Sequence, residues 1–231
     1  MNCLYCGKEQ FSRHSWLTVF RLKEEPTLCS DCQEQFQRIS GGGRCSVCGR
    51  PLSECPSERL CCLDCVRWEK DENWRNVLTK NVSLFYYNKG MKEWLARFKY
   101  RGDYHLVHCF ASEIRAEIQL MAPDRIVPIP LSEERLKERG FNQAKALIEE
   151  AGFAAEELLG RIHTEKQSKK SRTERIHLPE VFYMIRPVSL AGETILLVDD
   201  IYTTGSTLRH AAKVLKNYGA QTVLALTLAR G

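Results

Sequence analysis

From residue 82 onward the apolar positions of this chain alternate between two periods. Residues 195–198 form a continuous run, Ile195-Leu196-Leu197-Val198, the pattern of a parallel strand buried on both faces. Met91, Trp94, Leu95 and Phe98 fall at i, i+3, i+4 and i+7 and predict a helix with one buried stripe. Residues 106–121 predict a second helix with Phe110, Ile114 and Ile118 inward, and residues 143–151 a third with Ala144, Leu147, Ile148 and Ala151 inward. Strand composition recurs at 82–87, 125–130, 181–185 and 222–228, with an Asn88-Lys89-Gly90 turn after the first and Pro130 stopping the second. Alternation of this kind predicts an α/β domain, a doubly wound parallel sheet, over residues 81–231.

Residues 1–68 show no such period. Their apolar side chains (Leu4, Tyr5, Phe11, Trp16, Leu17, Val19, Phe20, Leu22, Phe36 and Ile39) are too few to make a core for a segment of that size. The polar stretch Glu69-Lys70-Asp71-Glu72-Asn73 then marks a boundary, so residues 69–80 read as a linker.

Composition explains how the first segment holds together. The chain has 231 residues and 11 cysteines, and ten of the cysteines lie between Cys3 and Cys65. Eight of them form four Cys-x-x-Cys knuckles: Cys3/Cys6, Cys29/Cys32, Cys45/Cys48 and Cys62/Cys65. Two knuckles supply four thiolates at tetrahedral geometry, so taking them in order predicts two structural four-thiolate zinc sites, a small zinc-ribbon module. An interleaved cross-brace fits the same count, and Cys55 and Cys61 are spare thiols able to replace a ligand in the second site. A redox Cys-x-x-Cys competes for any single knuckle. Gly41-Gly42-Gly43 reads as a flexible joint between the two halves, and lone Cys109 as a core residue. The N-terminus lacks a basic segment followed by an apolar one, and no run approaches a membrane span, so a cytoplasmic location is expected. The net charge of +5 suits phosphorylated ligands or nucleic acid without choosing between them.

The apolar run at 195–198 ends in Asp199-Asp200, followed by Ile201-Tyr202-Thr203-Thr204-Gly205-Ser206-Thr207-Leu208. A helix beginning there directs uncompensated N–H groups and a positive dipole end at the turn, which suits a phosphate. Thr203, Thr204, Ser206 and Thr207 add hydroxyl donors, and Gly205 permits the tight turn. Two carboxylates at the carboxyl end of the strand accept hydrogen bonds from a vicinal diol. Phosphate beside diol predicts ribose 5-phosphate. No Gly-x-Gly-x-x-Gly and no Gly-Lys-Ser/Thr loop supports a dinucleotide or Walker-type site.

Two more segments carry candidate chemistry. Pro128-Ile129-Pro130-Leu131-Ser132 leaves a strand end ahead of Arg135, Lys137, Arg139, Gly140, Phe141, Asn142 and Gln143, though a proline-ended strand and a solvated helix start would look the same. Residues 161–177 hold six Lys/Arg, including Lys166, Lys169, Lys170 and Arg172, against two acids, and lack apolar periodicity. They read as a mobile loop or a plain solvated one.

The stretch from Ile195 to Leu208 resembles the 5-phosphoribosyl-1-pyrophosphate (PRPP) signature of type I phosphoribosyltransferases. By order along the chain, that resemblance implies a pyrophosphate loop at Pro130, Leu131 and Ser132, a flexible hood over PRPP near residues 161–177, and Mg bound with PRPP. The whole chain resembles the ComF-family competence proteins. The resemblance runs through the cysteine knuckles, Phe98-Lys99-Tyr100-Arg101-Gly102, Val127-Pro128-Ile129-Pro130-Leu131, Glu138-Arg139-Gly140-Phe141-Asn142-Gln143-Ala144, Glu165-Lys166-Gln167-Ser168-Lys169-Lys170 and Thr173-Glu174-Arg175. It implies a role in natural transformation, handling incoming single-stranded DNA beside a ComF helicase-like partner. Two function classes stay open: a phosphoribosyltransferase with Asp199 and Asp200 as catalytic carboxylates and an unidentified acceptor, or a binding module whose PRPP pocket senses nucleotide while Lys166, Lys169, Lys170 and Arg172 grip DNA.

Overall fold

The computed structural model describes residues 2–9, 27–162 and 181–231. The N-terminal part contains α1 (Ser30–Gln33), two antiparallel two-residue strands, β1 (Ser57–Glu58) and β2 (Cys61–Cys62), and α2 (Leu63–Lys70). After it come β3 (Lys80–Tyr86), α3 (Lys89–Tyr100), a 3₁₀ turn (Tyr104–Phe110) running into α4 (Ala111–Met121), β4 (Arg125–Pro128), α5 (Glu133–Arg139) and α6 (Gln143–Glu150). Then follow β5 (Leu159–Arg161), β6 (Phe182–Met184), β7 (Thr194–Tyr202), α7 (Ser206–Asn217) and β8 (Thr222–Arg230).

Four strands make one parallel sheet in the order β3-β8-β7-β4. The continuous apolar run of β7 is explained by burial on both sides. Leu196 and Val198 join Leu226, Leu228 and Ile126 against α3, α4 and α6, where Trp94, Phe98, Phe110, Ile114 and Leu147 form the first core. Ile195 and Leu197 join Val223, Ala225 and Val127 against α7, whose Leu208, Ala211, Ala212 and Leu215 form the second. Helices therefore cover both faces, as a doubly wound sheet requires.

The cysteine segment is docked along the free edge of β3. The Ile39 amide donates to the Leu84 carbonyl (2.9 Å), the Tyr86 amide to the Gln37 carbonyl (2.9 Å) and the Asn81 amide to the Val47 carbonyl (2.6 Å), which covers an edge that would otherwise be open to mispairing. Gly49 lies so close to this strand that a Cβ there would stand 2.9 Å from the Asn81 carbonyl oxygen, and its φ is +71°. Cys3, Cys29 and Cys32 enter the first core, and Cys45, Cys48, Cys62 and Cys65 enter the second.

Three predicted elements differ from the pattern read in the sequence, and α1, α2, β1, β2 and β5 are short elements that did not show in it. The helix predicted over 106–121 is 3₁₀ through residue 110, with Cys109 buried in it as expected. The strand predicted at 181–185 lies outside the parallel sheet: β6 pairs antiparallel with β5, Gly160 opposite Tyr183. An isolated run of three residues carries no period that could tell ribbon from sheet. β7 also continues past its apolar run through Tyr202, because Asp199 and Ile201 pair with Thr227 and Ala229 of β8.

Candidate functional site

The carboxyl ends of β4 and β7 lie side by side, with Pro128 opposite Val198. The loop Ile129–Ser132 and the loop 203–205 therefore open on the same edge of the sheet, where α/β proteins place their ligands. The Asp200 carboxylate, near the end of β7, forms an ion pair with the Lys99 ammonium from the last turn of α3, and both side chains are largely buried. The Asp200 amide donates to Asp199 Oδ1 at 2.9 Å. Burial, with the neighbouring Asp200 charge adding to it, pushes the Asp199 carboxyl up to about 7, against the pull of Lys99 and Arg161. Burial holds the Arg161 guanidinium below its ordinary range, and the Arg135 charge adds to this while Asp199 opposes it. Two cationic side chains, Lys99 from α3 and Arg161 from β5, thus act on the acid pair of β7, and Arg135 from α5 acts in turn on Arg161.

The turn after β7 has a single workable residue at its apex. Gly205 has a φ of +77°, and a Cβ there would collide with the Tyr202 hydroxyl and with Arg209. The Ser206 amide is met by Thr204 Oγ1 at 3.4 Å. α7 is twelve residues long, so its first amides and its dipole point into the same turn.

The other loop is held from behind. Ser132 caps α5, its hydroxyl accepting from the Arg135 amide at 3.4 Å. Asn142 caps α6 by accepting from the amides of Ala144 (2.9 Å) and Lys145 (3.3 Å), while its own amide donates to the Ile129 carbonyl at 3.0 Å. Phe141 packs on Phe98 and Tyr104, and the Arg139 guanidinium lies 5.3 Å over the Tyr100 ring. The runs at 98–102 and 138–144 are therefore adjoining walls of one site.

The predicted site residues are distributed as follows. Asp199, Asp200, Thr203, Thr204, Gly205, Ser206 and Thr207 stand in one strand–turn–helix, and Pro130, Leu131 and Ser132 form the neighbouring loop. Lys166, Lys169, Lys170 and Arg172 lie outside the described residues. Lys99 acquired no site role in the sequence reading, and Arg161, read there as the first basic residue of the 161–177 loop, instead ends β5. Lys99 follows the buried stripe of α3 by one position, and that position in the last turn is the only sign that it faces inward.

The eight knuckle cysteines collect into two groups, Cys3, Cys6, Cys29 and Cys32 and then Cys45, Cys48, Cys62 and Cys65, with the sulfur atoms of each group within 4.8 Å of one another. The sequential pairing holds, and Cys55 and Cys61 stand outside both groups. A tetrahedral zinc with bonds of about 2.3 Å has sulfur–sulfur edges of about 3.8 Å. Cys6 and Cys29 are 3.8 Å apart and Cys48 and Cys62 3.6 Å, so both groups fit zinc. The amides of Cys29 and Cys62 donate to the sulfurs of Cys3 (3.3 Å) and Cys45 (3.4 Å), support suited to thiolates.

A doubly wound sheet with an acid pair, a glycine turn and a helix N-terminus at its carboxyl edge defines a phosphoribosyltransferase-type domain, here preceded by two four-cysteine groups. The phosphoribosyl transferase domain family matches residues 136–231. Over 232 aligned residues the chain is 39% identical to competence protein ComFC of Bacillus subtilis (strain 168), covering 99% of this chain and 94% of that one. It is 35% identical to competence protein ComFC of Streptococcus pneumoniae (strain ATCC BAA-255 / R6), covering 100% of both. Competence protein F of Haemophilus influenzae (strain ATCC 51907 / DSM 11121 / KW20 / Rd) is 27% identical, with 88% of this chain and 90% of that one covered. The chain belongs to the ComFC family of competence proteins. Among the described residues, no helix is long and apolar enough to cross a membrane.

Proposed function

We propose that this protein is a competence protein that handles incoming single-stranded DNA in the cytoplasm and binds PRPP, or ribose 5-phosphate, at the carboxyl edge of its sheet. The observation that carries the ligand reading is the convergence of Lys99, Arg161 and the 203–207 turn on Asp199 and Asp200. The turn amides and the hydroxyls of Thr203, Thr204, Ser206 and Thr207 would hold the 5-phosphate, and the two carboxylates would accept from the ribose diol. Pro130, Leu131 and Ser132, with Lys99 and Arg161 close to the acid pair, would face the pyrophosphate. Two adjacent carboxylates also fit a hard divalent cation, which usually binds through one or two carboxylates and substrate phosphates. Magnesium bound with PRPP would supply charge neutralisation there, with Asp199 and Asp200 as the residues that hold it.

The relatives' names support the pathway, and the basic run with Lys166, Lys169, Lys170 and Arg172 supports contact with a DNA backbone. Residues 1–68 act in this reading as a zinc-ribbon module, joined through 69–80 to the domain at 81–231. Zinc in both groups supplies folding free energy. A titration of single-stranded DNA beside one of PRPP, with pyrophosphate release measured across a panel of acceptors, separates a binding module from an active transferase.

A further inference from the structure

Arg209 stands one turn into α7 with none of its surface exposed. A guanidinium keeps its charge in a protein, so its burial calls for an anionic partner. Its Nη1 donates to the Tyr202 hydroxyl (3.0 Å) and its Nη2 to Cys65 Sγ (3.6 Å), and the guanidinium lies 4.8 Å over the Trp68 ring. Its Nε is buried with no hydrogen-bond partner among the described residues. Tyrosine is neutral at ordinary pH and an indole has no charge, which leaves Cys65 as the contact able to carry a negative one. Four thiolates around one zinc ion would carry two net negative charges, and Arg209 would complement them through its contact with Cys65.

The same arginine touches the phosphate turn. Gly205 is the residue whose missing Cβ leaves space for the Tyr202 hydroxyl and for Arg209, so the turn rests directly on this pair. Arg230 makes a parallel link: its Nη1 donates to the Cys48 carbonyl (2.8 Å) and its guanidinium lies 4.6 Å over the Tyr202 ring. The first four-cysteine group belongs to the core on the other face of the sheet, where Tyr5 and Phe36 pack edge to face, and serves as an internal control.

We propose that the second four-cysteine group braces the phosphate turn and that Arg209 is the positioning residue that couples the two, so that ligand at residues 203–207 slows metal loss from Cys45, Cys48, Cys62 and Cys65. The inference rests on the phosphoribose reading above and on zinc in that group. Coupling between two sites is reciprocal, so retention of the metal reports on the turn as directly as ligand affinity does.

The test uses the full-length, metal-loaded chain. Metal is withdrawn with a chelator while released cysteines are alkylated and mapped by mass spectrometry, with and without saturating PRPP and magnesium. PRPP is expected to slow modification of Cys45, Cys48, Cys62 and Cys65 by at least about fivefold and to leave Cys3, Cys6, Cys29 and Cys32 unchanged. Arg209→Met should remove that selective protection. Tyr202→Phe, which deletes one hydroxyl and keeps the ring, should bring it close to unity with both metals still bound. Heat from PRPP in a calorimeter without selective protection, equal protection of both groups, undiminished protection in Tyr202→Phe, or a second group without zinc would each overturn the coupling. No heat from PRPP or ribose 5-phosphate would overturn the phosphoribose reading together with it.

Discussion

Asp199 combines two demands that oppose each other. Its carboxyl is pushed up to about 7 from an ordinary 3.8 by burial and by Asp200. Between those values the folded chain holds a proton that the unfolded chain has released. Stability therefore falls as pH rises through that window and the cost is complete above it. A diol or a cation needs the ionised form, so ligand binding must release the proton. Affinity for PRPP should rise by up to about tenfold per pH unit below neutrality and level off above it, with Asp200→Asn flattening the profile. Calorimetry in buffers of different ionisation heat measures that proton. A pH-independent affinity would contradict the coupling. Lys99→Met removes the ammonium that opposes this shift, so the profile should move to higher pH.

Gly205 gives a steric prediction at the same scale. Gly205→Ala forces a left-handed backbone on an L-residue, costing about 1–2 kcal/mol, and sets a methyl against Tyr202 and Arg209. A lower thermal midpoint with lost PRPP binding is the expected result, and native binding would show that the turn is not the phosphate site. The need for glycine at this position was legible in the sequence because it follows from backbone geometry. Lys99 and Arg161 were not, since their partners stand about a hundred and about forty residues away along the chain and no local period announces such a pairing.

At the scale of elements, apolar periodicity located α3, α4 and α6, and strand composition located β3, β4 and β8, whereas the short helices α1, α2 and α5 carry no apolar stripe that announces them. β7 could be read because four consecutive apolar residues have one explanation in a covered sheet. β6 was placed in the sheet by composition alone, and composition does not say which strand is a neighbour. Order along the chain placed the loop at 130–132 and the motif itself placed the turn at 203–207, whereas the capping roles of Ser132 and Asn142 needed coordinates. Asn142→Ala removes a cap and a tether to Ile129, and should cost about 1 kcal/mol in denaturant unfolding. The four-cysteine groups were legible from spacing because a tetrahedral ion imposes it. Metal analysis should find two zinc ions per chain and one in a folded Cys29→Ser or Cys45→Ser protein. A wild-type protein with a single ion would contradict the assignment.

At the scale of the whole molecule, the two cysteine groups are built into the two cores and seal the edge of β3. The described residues form a frame around one electropositive-lined acid pair, and the basic run at 161–177 begins at Arg161 on its rim. Affinity for single-stranded DNA should fall with salt at a logarithmic slope of about 0.7 per phosphate neutralised. Replacing Lys166, Lys169, Lys170 and Arg172 by alanine should flatten that slope by roughly three units if all four meet phosphates. Lost PRPP affinity with an unchanged slope would assign the run to a hood instead.

The phosphoribose site is the claim on which the rest depends, and calorimetric titration of magnesium and PRPP into the zinc-loaded wild-type protein and its Asp200→Ala variant tests it most directly. One PRPP should bind per wild-type chain. The variant, with unchanged zinc content, should bind about 1–3 kcal/mol more weakly because a diol donor and Lys99 both lose their acceptor. No heat in the wild type, or equal affinity in the variant, would contradict the assignment of Asp199, Asp200 and residues 203–207 to a sugar phosphate.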